Sequence, residues 1–178
     1  MTSRPLTTQL PRTALTIVCL LALLAGPGCA SYQLGSMLPP DIRSVHVPTF
    51  LNETGEPLIE VETTRAIIRA IQRDGSLLIA GEEDADAVLS VVLTDFHLQA
   101  LGFDRERRAA ANEYRMRIRA QLVLTRRETG AVIAQSPRIV GESTFIVTGD
   151  MTSAKQRAIP DAADDLAQLL ISEIVEAW

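Results

Sequence analysis

The stretch from Asn112 to Arg127 constrains the fold more than any other. Tyr114, Met116, Ile118, Ala120, Leu122 and Leu124 fall on one parity; Arg115, Arg117, Arg119 and Gln121 fall on the other. A period of two places the apolar set on one face of a strand and the charged set on its opposite face. Such a strand needs neighbours on both sides and something apolar laid over one face. Its companion is Ala87 to Leu98, β-branched and apolar, with Leu89, Val91 and Leu93 opposed to Ser90, Val92 and Thr94. Gly102 to Ala111 reads as a charged loop between the two, long enough to reach beyond the sheet. Glu128-Thr129-Gly130 is a hairpin turn. The chain returns through Ala131–Ala134, is broken or bulged at Ser136-Pro137, and continues through Ile139–Thr148.

Two segments change period. In Leu58–Arg73, Val61, Thr64, Ile67, Ile68 and Ile71 recur at three and four. Acids come early, bases come late, and Gly75 provides a stop. Ala158–Trp178 carries Ala163, Leu166, Ala167, Leu170 and Ile174 on one stripe, with Pro160 near its start. Shorter strands are expected at Arg43–Phe50, where Pro48 ends the strand or marks an edge, and at Leu77–Ala80. Asn52–Pro57 and the acidic Glu82–Asp86 read as turns. The expected fold is α+β: two helices packed on one face of a mixed, mostly antiparallel four- to five-stranded sheet.

The chain opens differently. Arg4 and Arg12 precede an apolar run, Ala14–Ala25, with no acid before Asp41. A stretch of twelve residues is too short to cross a bilayer core of about 30 Å, and it fits a secretory signal that is removed. Pro27 and Gly28 end the run and Cys29 follows, in a context that resembles a bacterial lipobox. Gly26 and Pro27 depart from that pattern, which prefers leucine three residues before the cysteine. In this reading residues 1–28 are a lipoprotein signal peptide. Residues 29–40 are the acylated Cys29 and a tether made stiff by Pro39-Pro40, and residues 41–178 form a single domain. Each buried CH₂ of an acyl chain contributes about 0.8 kcal/mol, so two or three chains anchor stably.

Loss of residues 1–28 leaves 150 residues, removes Cys19, and takes the formal charge from −5 to −7. One remaining cysteine allows no intrachain disulfide. An acidic domain is poorly suited to nucleic acid, where binding rests on neutralised phosphates. The two histidines, His46 and His97, lie in no metal-ligand spacing. GxSxG, phosphate-binding and dinucleotide-binding glycine patterns are absent. No catalytic residue, cofactor or metal site is expected, and the protein is read as not an enzyme.

The Cys29 motif, then "SYQLG" at Ser31–Gly35 and "LPPDIRSVHVPTFLNET" at Leu38–Thr54, resembles the LptE lipoproteins of lipopolysaccharide (LPS) assembly. The helix "IEVETTRAIIRAIQRDGSLLI", the strand "ADAVLSVVLTDF" and the closing "AADDLAQLLISEIVEAW" continue the likeness. Ser31 stands where enteric members have glycine. The resemblance implies an outer-membrane lipoprotein on the periplasmic side that plugs and helps assemble an LptD-like β-barrel and contacts LPS during its insertion in the outer leaflet. "VHVPTFLNET" is also similar to lipoproteins resembling CsgG, LpoB and the amino-terminal domain of TolB, which implies a secretion component or a cell-wall synthase activator instead.

Within the acidic domain, Arg115, Arg117 and Arg119 form a row on one strand face, and Arg105, Arg107 and Arg108 occupy the loop before it. The row reads either as a solvated face offset by Glu106, Glu113 and Glu128, or as an anion site. Guanidinium forks bind phosphate bidentately, and the phosphates of lipid A sit on a rigid headgroup.

Overall fold

The computed structural model describes residues 38–103 and 111–176. In chain order the elements are β1 (Ser44–His46), β2 (Leu51–Asn52), α1 (Ile59–Asp74), β3 (Leu78–Ile79), β4 (Ala87–Phe103), β5 (Ala111–Arg126), β6 (Val132–Ile146) and α2 (Met151–Glu176). The sheet runs β3-β1-β4-β5-β6, with β2 also paired to β4. β1, β2 and β3 pair in parallel, whereas the long β4–β5 and β5–β6 ladders are antiparallel. The class is the expected one, α+β with both helices on one face, and the sheet has six strands rather than four or five.

Burial follows the alternation of β5. Met116, Ile118, Ala120, Leu122 and Leu124 are all buried, together with Leu89, Val91 and Leu93 of β4. Ile59, Ala66, Ile67 and Ile71 of α1 and Ala162, Ala163, Leu166, Leu170 and Ile174 of α2 close over them. Full burial of each such aliphatic side chain contributes about 1.5–3 kcal/mol, and this shared face is what fixes the sheet's parity. Gly141 of β6 brings α2 unusually near. A Cβ there would lie 2.5 Å from the backbone nitrogen of Leu166.

Several boundaries differ from the reading of the sequence. Asn52 belongs to β2, and the turn starts after it. Its side chain orders that turn, donating to the Glu56 carbonyl at 2.9 Å and accepting from the Thr54 N–H at 2.9 Å. Between β1 and β2 the register against β4 slips by one residue across the segment holding Pro48, which has no N–H for the ladder. Residues 102, 103 and 111, assigned to the charged loop, extend β4 and β5. The final helix begins at Met151, seven residues before the expected Ala158, so Pro160 lies well inside it. Asp150 is the reason. Its carboxylate accepts the Ser153 N–H at 2.8 Å, an N-cap that starts the helix ahead of the proline. The same bond holds the Asp150 carboxyl below the usual carboxylate range.

Gly75 does end α1, at φ 77° with its N–H bonded to the Ile71 carbonyl. At the other end, Leu58 precedes α1 at φ 63°, ψ 6°, a left-handed conformation with no side-chain cap. A bulky residue held there stores about 1–3 kcal/mol of strain.

Candidate functional site: the arginine row on the open sheet face

The face of the sheet turned away from the helices carries the arginine row. Register places Arg115, Arg117 and Arg119 of β5 opposite Gln99, His97 and Asp95 of β4, and opposite Thr144, Glu142 and Val140 of β6. Two irregularities create this arrangement. On β4 the ladder steps from Leu93 to Asp95 while β5 advances one residue, leaving Thr94 as the extra one. The slip reverses parity: buried Leu89, Val91 and Leu93 give way to Phe96 and Leu98 on the helix side, and Asp95 turns outward. On β6 the ladder runs from Ser136 to Ile139 while β5 moves from Leu122 to Ala120. That bulge contains Pro137, places Ile139 and Gly141 on the helix side, and turns Glu142 outward.

Both carboxylates therefore reach the arginines. Arg117 Nε lies 3.3 Å and Arg115 Nε 4.0 Å from the same Glu142 Oε2, and Arg119 Nη1 lies 3.5 Å from Asp95 Oδ2. Glu113, on the same parity of β5, is exposed at the end of the row. Of the expected neutralisers, Glu106 lies outside the described residues; among those described, Asp95 and Glu142 rather than Glu113 and Glu128 pair with the row, which no spacing along one strand could have revealed.

The Nε atoms of Arg115 and Arg119 are shielded from solvent without a hydrogen-bond partner, while each arginine side chain stays a third or more exposed. Arg105, Arg107 and Arg108 lie outside the described residues, as does Cys29. Elsewhere the acidic turn before β4 has a structural task. Asp86 accepts the Arg43 N–H at 3.0 Å, the Ser44 N–H at 2.9 Å and the Ser44 hydroxyl at 2.8 Å, tying the start of β1 to β4. Among the described residues no cluster of three or more His, Cys, Asp or Glu side chains could hold a metal ion. His46 Nδ1 lies 3.3 Å from the Ala80 carbonyl, and His97 is exposed on the arginine face.

With that geometry in place, comparison with known proteins decides the family. The sequence matches the family described as LptE, lipopolysaccharide-assembly, over residues 42–174. The chain belongs to the LptE family. The match runs from Ile42 to Ile174, both of which are buried core residues. No curated protein matches the chain. Among solved structures, it is similar to protein XCC0632 from Xanthomonas campestris, with TM-score 0.52 and 12% identity over 79% of this chain and 87% of that one. It is also similar to a minor lipoprotein from Acinetobacter baumannii, with TM-score 0.50 and 10% identity over 76% and 94%. Both share the fold of this LptE-family domain.

Proposed function

We propose that this LptE-family protein is an outer-membrane lipoprotein, anchored through Cys29 on the periplasmic side. There it assists assembly of an LptD-like β-barrel, plugs it, and contributes to LPS transport and insertion in the outer leaflet. The observation that carries the reading is that the family match spans the entire hydrophobic core rather than one motif. The domain acts by docking and not by catalysis, with a surface of about 1,600 Å² or more buried against the barrel. The arginine row is its site for the lipid A phosphates. Support for that comes from three guanidiniums on an open sheet face, each side chain a third or more exposed.

Crosslinking in intact outer membranes, purification through the full-length chain and identification of the captured protein tests the reading. An LptD-like barrel recovered near one-to-one is the expected result. Recovery of a cell-wall synthase or a secretion pore in its place transfers the chain to the alternative class.

A further inference from the structure

One titratable group on the open sheet face takes no part in the ion pairs of the arginine row. His97 of β4 stands directly opposite Arg117 in the ladder, with Arg115 and Arg119 on its diagonals. Directly opposed Cβ atoms lie about 4.5–5.5 Å apart and diagonal ones about 7–8 Å, so all three guanidiniums are within side-chain reach of the imidazole. His97 is exposed and has no hydrogen bond or ion pair among the described residues.

The charges around it are closely matched. On β4 the same parity carries Asp95 and the neutral Gln99. β5 contributes Arg115, Arg117 and Arg119 and, at the end of the row, Glu113; β6 contributes Glu142. Three guanidiniums thus stand against three carboxylates, so this part of the face has no net charge while His97 is neutral. Both helices pack on the other side of the sheet and present no charge to the imidazole. A guanidinium keeps its proton throughout, whereas histidine ordinarily changes charge between about pH 5 and pH 8. One proton on His97 therefore turns a balanced face into a cationic one.

We infer that His97 is the proton-sensitive member of the arginine row, and that its protonation strengthens the row's hold on a phosphate-bearing ligand; the inference rests on the anion-site reading above. Neutral His97 leaves the arginines to their own carboxylates. Protonated His97 adds a fourth cation beside Arg117, which an arriving phosphate offsets and Glu142, on the far side of Arg117, offsets less well.

The test uses the purified full-length chain in detergent, with purified LPS as the probe. Titration calorimetry is run at about pH 5.5 and about pH 8, near the two ends of the histidine range. Wild type should bind about fivefold more tightly at the lower pH, the factor that one charge–charge contact of about 4 Å gives in water. LPS phosphates titrate as well, but equally for every variant, so differences between variants report on His97. His97→Gln should match wild type at the higher pH and lack its extra gain at the lower. His97→Lys should bind tightly at both.

Imidazole NMR with inorganic sulfate, whose charge is constant over this range, gives the reciprocal readout. Sulfate should raise the titration midpoint of His97. It should leave that of His46, the chain's other histidine, which lies at the far end of β4 opposite Val88. Equal pH dependence in wild type and His97→Gln overturns the role of His97 while leaving the row as an LPS site. Undiminished LPS binding after Arg115, Arg117 and Arg119 are all changed to Glu overturns the row and His97 together. A sulfate effect of the same size on both histidines is ionic strength alone, and it too overturns the inference.

Discussion

At the scale of single residues, Glu142 controls the arginine row. It shares one carboxylate oxygen between Arg115 and Arg117, so an incoming phosphate competes with it for the same donors. Glu142→Gln should therefore tighten LPS binding, and Arg115, Arg117 and Arg119 all changed to Glu should abolish it, with circular dichroism nearly unchanged in both. Titration calorimetry with purified LPS reads the difference. Equal binding by wild type and the triple variant reduces the row to a solvated ion-pair ladder, of the kind that contributes at most about 1 kcal/mol per pair. Gly141 raises the opposite issue, of space rather than charge. Its missing side chain lets the Leu166 backbone come within what would be 2.5 Å of a Cβ. Gly141→Ala must push α2 off β6 and should cost about 2 kcal/mol or more, within the range for overpacked cores. Urea denaturation measures it, and a midpoint equal to wild type would refute the close approach.

At the scale of elements, the parts of the fold written in local periodicity were legible and the parts set by neighbours were not. β5 reads directly from its alternation, α1 from its stripe and Gly75. The two bulges are invisible to such reading, because each replaces one parity by the other within a strand. A continuous count along β4 turns Asp95 toward the core, and only the extra Thr94 brings it beside Arg119. Pro160 resembles a helix start and points to Ala158, seven residues past the actual start of α2 at the Asp150 cap. Asp86 shows how an element is tethered from outside. Its carboxyl is held below the usual carboxylate range, first by the Arg43 N–H and then by the Ser44 hydroxyl. A folded-state pKa below the unfolded value stabilises the protein above the unfolded pKa. That stabilisation is lost as pH falls through the folded one. The domain should accordingly lose stability below about pH 4, near the ordinary Asp value. Asp86→Asn should flatten this part of the acid limb while lowering stability at neutral pH. Denaturation midpoints collected from pH 7 to pH 3 (roughly the window on either side of that value) check the sign, and an unchanged acid limb in the variant would contradict the assignment.

At the scale of the whole molecule, anchor and domain are separable in the chemistry proposed for them. Among the described residues the buried core runs from Ile42 to Ile174, with Leu38 packed against it. Membrane attachment, in contrast, is proposed to rest on acyl chains at Cys29. Among the described residues no helix is long and apolar enough to cross a membrane. Cys29→Ala should thus leave the melting temperature and circular dichroism of the domain as they are. It should also remove radiolabelled palmitate and shift the chain from the membrane to the soluble fraction. A thioether-linked diacylglycerol and a third chain on the new amino terminus supply more buried CH₂ groups than the single chain that gives only marginal binding, so the shift should be nearly complete. The tether sets a further limit. From Cys29 to Leu38 there are nine residues, which reach at most about 30 Å when extended. Any barrel surface gripped by the domain must lie within that reach plus the domain's own length. Lengthening the tether by ten Gly/Ser residues should leave palmitate labelling intact and lower barrel recovery only modestly, because loop entropy rises slowly with length. Equal palmitate labelling of wild type and Cys29→Ala, or labelling of neither, would remove the anchor from the account.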